Sequence, residues 1–139
     1  MVPVNEFREE NVEITQLCQV LAALLADDKL VTNPIVCELF DRFRDKVAAH
    51  LLHEDRAAYG ELLRNRGKES GALASAFLEN THELKKLIAK YNKKWCRGIR
   101  PTDETAKQFQ QQTTDIFQLV NQRLNMEENK LFPMLEKNN

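Results

Sequence analysis

Apolar residues recur every three or four positions along four long segments of this chain, and no segment alternates between apolar and polar residues. This spacing is the period of an α-helix with one apolar face. It predicts helices over residues 6–27, 34–66, 70–96 and 102–132. The three intervening loops are short, which favours antiparallel neighbours. The predicted fold is therefore all-α: an antiparallel, up-down-up-down four-helix bundle that forms a single domain over residues 1–139.

Glycine and proline are scarce, at four residues each, and they fall near the predicted helix ends. Asn33 followed by Pro34 is the pattern of an N-cap with proline at the first helical position. Gly67 predicts the end of the second helix. Thr102 is the predicted N-cap of the fourth helix, with acidic residues directly after it that suit the positive end of the helix dipole.

The overall charge of the chain argues against nucleic acid and anionic membranes as partners. The formal net charge is −1, and nucleic acid and anionic membrane surfaces both select positively charged proteins. The sequence has no run of 18 apolar residues and no apolar segment at its N-terminus that would indicate a secretory signal. We therefore expect no nucleic-acid partner and no membrane association, and we expect a cytoplasmic protein.

The chain has three cysteines, Cys18, Cys37 and Cys96, at wide spacings and without a CxxC pair. This pattern indicates neither a zinc site nor a redox-active dithiol. We expect free, buried thiols in a reducing cytosol.

Charged residues continue two of the apolar stripes. The stripes consist of residues spaced three and four apart: Val36, Phe40, Phe43 and Val47 in the second helix, and Phe109, Thr113, Ile116 and Val120 in the fourth. The same spacing continues onto His50 and Glu54 in the second helix. In the fourth helix it continues onto Arg123 and Glu127. Because a buried charge needs a partner, these residues predict a buried polar cluster.

The residues around this cluster form two related motifs. The second helix carries His50, Glu54, Asp55 and Tyr59, and the fourth carries Glu127, Glu128, Leu131, Phe132 and Pro133. At these residues the chain resembles the hemerythrin-like, or HHE cation-binding, family, whose motif is His-x-x-x-Glu-(Glu/Asp)-x-x-Leu-(Tyr/Phe)-Pro on two helices of a four-helix bundle. The chain departs from the motif at Gly60, where proline is usual, and at Arg123, where histidine is usual. The stretch 77–109 is similar to one bacterial branch of the family, so we expect a bacterial protein.

The resemblance implies a carboxylate-bridged di-iron site that receives histidines from all four helices and binds oxygen or a related small molecule. This chain has only three histidines, His50, His53 and His82. The first helix has none and offers only Glu10, Thr15 and Gln16 as remote substitutes. In the third helix the inward position falls on Thr81, and His82 lies one residue away from it. We therefore do not expect the histidine-rich di-iron centre.

Two alternatives remain for the cluster. Arginine is always charged and forms planar, bidentate bonds with carboxylates, so Arg123 can supply the positive charge of a metal. We favour this metal-free cluster, without a cofactor. The alternative is a single non-haem iron or other divalent cation held by His50, Glu54 and Glu127. Its shell would be completed by His53, His82 or water.

The functional hypotheses follow from these alternatives. We expect a non-catalytic regulatory or interaction protein, with a protein partner or a second copy of the chain, because no nucleophile is paired with a base. The first alternative is an iron-binding protein that senses, stores or carries oxygen or nitric oxide. The second is a regulator of the kind that binds the primary sigma factor. The stretch 123–128 resembles an element in the last helix of those four-helix bundles, and 78–81 is similar to their third helix. The first helix lacks their Asp-Arg-Trp signature.

Overall fold

The computed structural model describes residues 2–64, 67–96 and 100–138 and confirms the four-helix bundle. The described residues contain no strand. The first and third long helices of the bundle are α1 (Val4–Leu25) and α4 (Lys68–Lys94). The second consists of α2 (Pro34–Glu54), a first π turn (Asp55–Tyr59) and α3 (Gly60–Arg64). The fourth consists of α5 (Ala106–Met126), a second π turn (Glu127–Leu131) and α6 (Phe132–Asn138). The predicted end of the second helix at residue 66 lies outside the described residues.

The starts of α2 and α5 test the two capping predictions. Asn33 caps α2: its side-chain oxygen accepts a hydrogen bond from the Ile35 backbone N–H at 3.0 Å, and Pro34 is the first helical residue. The prediction for Thr102 is wrong, because α5 begins only at Ala106. Residues 103–105 form a turn instead, in which the Thr105 hydroxyl accepts a hydrogen bond from the Thr102 N–H at 2.9 Å. Thr102 therefore serves this turn and does not cap the helix.

The apolar interior consists of two clusters. One includes Phe40, Phe43 and Phe109, and the other includes Phe7, Phe77 and Phe132. Along the chain, His50, Glu54, Arg123 and Glu127 lie where positions of the first cluster give way to positions of the second. The polar cluster is therefore enclosed by apolar packing from both directions.

The expectation of three free thiols is wrong for two of the cysteines. Cys37 and Cys96 form a disulfide, with their Cα atoms 5.3 Å apart. The antiparallel fold brings the first turn of α2 and the end of α4 together, and the sequence separation of 59 between the two cysteines hides this proximity in the sequence. Cys18 is free and buried as expected, and burial raises the pKa of its thiol to about 12.

Within the described residues, no helix is both long enough and apolar enough to cross a membrane.

Candidate functional site

The structure brings together the four polar side chains that continue the apolar stripes of α2 and of α5. His50 and Glu54 come from α2, Arg123 comes from α5, and Glu127 follows at its end. None of the four is more than 1% exposed. Because residues four apart lie on one face of a helix, each helix presents a basic residue and a glutamate to the interior.

The guanidinium group of Arg123 joins the two glutamates. Its Nε donates a hydrogen bond to Glu127 Oε2 at 2.8 Å, and its Nη2 donates one to Glu54 Oε1 at 3.1 Å. Hydrogen bonds between a buried cation and buried carboxylates are among the strongest in proteins. A single side chain thus neutralises negative charge on α2 and on α5 at the same time.

The remaining donors of Arg123 also have acceptors. Its Nη1 donates to the Thr81 hydroxyl at 2.8 Å, to Asn80 Oδ1 at 2.9 Å and to the Phe77 carbonyl at 3.2 Å. Its Nη2 also donates to the Tyr59 hydroxyl. All the nitrogens of the guanidinium group are therefore bonded. The helical period placed Thr81 facing inward, but it gave no indication of Asn80, and Tyr59 was identified only as part of the motif on the second helix.

The imidazole ring of His50 also contacts both glutamates. Its Nε2 lies 2.8 Å from Glu127 Oε1 and 3.3 Å from Glu54 Oε1. Its Nδ1 lies 2.6 Å from Glu10 Oε1 on α1. The other oxygen of Glu10 lies 2.7 Å from His53 Nδ1. The sequence offered Glu10 only as a remote substitute for the histidine that the first helix lacks, yet its carboxylate orients two histidine rings.

The two π turns explain how Tyr59 reaches the cluster. A π turn inserts one extra residue into a helix, and such turns are frequent at functional sites. The first turn begins directly after Glu54, and buried residues follow Glu54 at Tyr59 and Leu62. The second begins at Glu127, and buried residues follow at the same spacings, at Phe132 and Leu135. The outer residues Asp55 and Glu128 are exposed, as their positions beside the inward glutamates predict.

The charges of the cluster depend on how burial and ion pairs shift the pKa of each group. Burial alone would lower the pKa of His50, but its hydrogen bond with Glu127 and the charge of Glu54 prevail and raise it to about 9. Burial and repulsion from Glu127 raise the pKa of Glu54 well above its ordinary value. Burial opposes the ionisation of Glu127, but its bond with His50 prevails and lowers its pKa. Of the two carboxyl groups, Glu127 is therefore the one that ionises more readily.

A comparison with protein-family models places this cluster in a known context. The model of the hemerythrin HHE cation-binding domain matches residues 2–135. The chain belongs to the hemerythrin HHE cation-binding family. No curated protein and no solved structure matches the chain.

Three side chains of this HHE domain are placed to hold one cation. One ligand atom each from His50, Glu54 and Glu127 lies within 4.8 Å of the other two. The distances from His50 Nε2 to the two carboxylates, 2.8 and 3.3 Å, bracket the roughly 3.0 Å that separates neighbouring ligands of an octahedral ion with bonds of about 2.1 Å. The second oxygen of Glu54 is buried and accepts no hydrogen bond from an N–H or hydroxyl donor among the described residues. This donor set fits a single divalent cation.

The donor set of the HHE domain does not fit a second metal. On α4 the residues that face Arg123 include Phe77 and Thr81, whereas His82 is exposed and lies outside the group of three candidate ligands. His53 is turned toward Glu10 and lies outside the group of three candidate ligands. Arg123 bonds the same two carboxylates that would have to bridge two ions. The histidine-rich di-iron centre therefore has no counterpart among the described residues.

Proposed function

We propose that this chain is a non-catalytic HHE domain in which the guanidinium group of Arg123 takes the place of a metal ion, and that it acts in the cytoplasm as a regulatory or interaction protein. One observation carries the proposal: Arg123 donates hydrogen bonds to both Glu54 and Glu127, the carboxylates that a metal would need. The protein then requires no metal cofactor for its fold.

Electrostatics support this assignment. Protonated His50 and Arg123 place two positive charges beside the two buried glutamates, so the glutamates need no added cation to balance their charge. A cation added there would be repelled by the guanidinium group, by about 4 kcal/mol for each unit of its charge at a separation of about 4 Å and an effective dielectric constant of 20. The arginine cannot relieve this repulsion by losing its proton.

Burial supports the absence of catalysis. The four charged groups are at most 1% exposed, so a substrate has no direct access to them. Their hydrogen bonds are made with one another and with neighbouring residues of the bundle. A general acid or base needs to be within hydrogen-bonding reach of a bound substrate.

A second candidate function is an iron-binding protein that senses, stores or carries oxygen or nitric oxide. The second Glu54 oxygen, which accepts no hydrogen bond from such a donor, and the spacing of the three candidate ligands favour it. The contact between His50 Nδ1 and Glu10 also favours it, because histidine ligands usually have their other ring nitrogen held by a carboxylate. In this case His50, Glu54 and Glu127 would hold the ion, and the ion would supply a binding place for the small molecule.

Metal analysis separates the two candidates. The purified protein is loaded anaerobically with ferrous iron, desalted, and examined by elemental analysis and ultraviolet–visible spectroscopy. We expect no stoichiometric iron in the wild type and retained iron in Arg123→His, which removes the fixed charge and adds a ligand. Glu54→Gln in the Arg123→His background is the control and should lose that iron. Stoichiometric iron with a charge-transfer band in the wild type would overturn the metal-free assignment.

The regulatory role needs its own test. Size-exclusion chromatography with light scattering measures whether the chain forms a homodimer, and affinity capture from lysate at modest salt followed by mass spectrometry identifies a protein partner. Co-elution with purified primary sigma factor tests the sigma-binding alternative. A chain that stays monomeric and captures no protein above the background of the tag alone would contradict the interaction role.

A further inference from the structure

The disulfide lies at the end of the bundle away from the polar cluster. Cys37 is in the first turn of α2, and His50 follows about 20 Å further along the same helix at a rise of 1.5 Å per residue. Cys96 lies just beyond the end of α4 at Lys94. Both cysteines are half-buried, so part of each remains open to solvent. A small reductant can therefore approach this bond without unfolding the bundle.

The backbone at Cys96 is strained. Its φ is +69°, and it is the only non-glycine residue with positive φ among residues 2–64, 67–96 and 100–138. Side chains with a Cβ atom disfavour this left-handed conformation. The disulfide to Cys37 fixes the sulfur of Cys96 against α2, so the strain and the covalent bond are located in one residue. Once the bond is open, no covalent link to α2 holds Cys96 in this conformation.

The strained residue adjoins the single tryptophan of the chain. Trp95 is 2% exposed, and its Nε1–H donates a hydrogen bond to Gln112 Oε1 at 2.7 Å. Its ring packs edge-on against Phe109, with the ring centroids 5.3 Å apart. Because Trp95 directly precedes Cys96, a change in the backbone at Cys96 acts on this packing between α4 and α5.

We propose that the Cys37–Cys96 bond is a reversible thiol–disulfide exchange site that takes dithiol reductants, and that its opening releases Trp95 from its contacts with α5. In the exchange, a thiolate of the reductant bonds to one of the two sulfurs, the Cys37–Cys96 bond breaks, and the other sulfur leaves as a thiolate. The second thiol of the reductant then attacks the mixed disulfide, closes the disulfide of the reductant and releases the remaining protein sulfur as a thiolate. The protein gains two electrons and two protons as two thiols, and the reductant becomes a disulfide.

Exposure and strain favour exchange over a purely structural role. Accessible or strained disulfides are the labile ones, and disulfides in a reducing compartment are mostly transient or redox-sensing. The proposed cytoplasmic location therefore agrees better with a reversible Cys37–Cys96 bond than with a permanent one. Cys18 does not compete in the exchange, because its thiol is buried and has a pKa raised to about 12.

The test follows thiols, tryptophan and helix content together. The oxidised protein is titrated with dithiothreitol at neutral pH without denaturant, while alkylation is followed by mass spectrometry, Trp95 by fluorescence and helicity by circular dichroism. We expect two alkylated cysteines, a red shift of the emission, retained helicity, and reversal on addition of oxidised dithiol. The melting temperature of the reduced protein should fall by about 10 °C.

Two variants make the titration decisive. Cys18→Ser is the matched control and should respond like the wild type. The double variant Cys37→Ser with Cys96→Ser should show the red-shifted emission from the start and should not respond to dithiothreitol. The proposal is overturned if the bond opens only as helicity is lost, or if it opens while the Trp95 emission stays unchanged. Both results can be read on the wild-type protein even if the double variant fails to fold.

Discussion

His50 and Arg123 are counterparts on two helices: each lies four residues before the buried glutamate of its own helix, and each contacts both glutamates. His50 Nε2 is 3.3 Å from Glu54 and 2.8 Å from Glu127, and the guanidinium group of Arg123 is 3.1 Å and 2.8 Å from the same pair. The two carboxylates are thus held between two cations. An HHE motif with histidine at both positions would instead offer two neutral ligands to a metal.

Removing Arg123 should destabilise the bundle strongly. Arg123→Ala leaves two buried glutamates without their shared partner, and breaking a buried ion pair in this way costs about 3–5 kcal/mol. Urea unfolding followed by circular dichroism measures the change. Arg8→Ala is the control, because it removes ion pairs to the exposed residues Glu128 and Glu136 and should cost less than about 1 kcal/mol. Equal losses in the two variants would contradict the central role of Arg123.

The Thr81 hydroxyl should be energetically coupled to Arg123. Thr81→Val removes an acceptor of a charged donor, which should cost about 1–3 kcal/mol. In a double-mutant cycle with Arg123→Ala, the loss of stability in the double variant should be smaller than the sum of the two single losses. The matched control is Thr113→Val, a second buried threonine whose hydroxyl bonds with Tyr91 and with the Phe109 carbonyl. It should also destabilise the protein, but additively with Arg123→Ala. Additive losses for Thr81→Val would refute the coupling.

Glu10 should tune the titration of His50. Glu10→Gln removes the negative charge 2.6 Å from His50 Nδ1, so the pKa of His50 should fall below its wild-type value of about 9. Imidazole resonances in nitrogen-15 NMR spectra recorded against pH measure the change. Glu13→Gln is the control: it lies on the same helix but pairs with Lys46 at the surface. A His50 pKa that is unchanged in Glu10→Gln would show that the other carboxylates alone determine it.

The metal-free protein should lose stability as the pH rises above neutrality. The pKa of His50 rises from 6.5 to about 9 on folding, so its contribution is fully present below pH 6.5 and is lost as the pH rises through about 9. The shift corresponds to a contribution on the order of 3 kcal/mol. The raised pKa of Glu54 acts in the same direction. Urea unfolding at pH 6.5, 8 and 9.5 should show a decline that is smaller in His50→Gln. A flat profile between these values would contradict the assigned charges.

The sequence predicted the centre of the site but not its surroundings. His50, Glu54, Arg123 and Glu127 could be found because they continue the apolar stripes at the helical period. Glu10, Asn80 and Tyr59 could not be assigned to the cluster, because the rotation of α1 and α4 about their axes and the positions of the π turns depend on the packing of the whole bundle. The Cys37–Cys96 bond was missed for a similar reason: it depends on which helix ends meet in the antiparallel bundle.

The π turn at Asp55–Tyr59 gives this helix a place where its length can change. The turn takes up one extra residue locally, so Tyr59 and Leu62 face the interior five and eight residues after Glu54. Deleting one residue from the turn would leave a regular α-helix in which the same two side chains follow Glu54 at four and seven residues, the spacings of one helix face. The same deletion within α2, which is regular, would rotate all later positions by about 100° and turn them away from the interior. A shortened chain is therefore compatible with this bundle at the π turn and incompatible with it a few residues earlier.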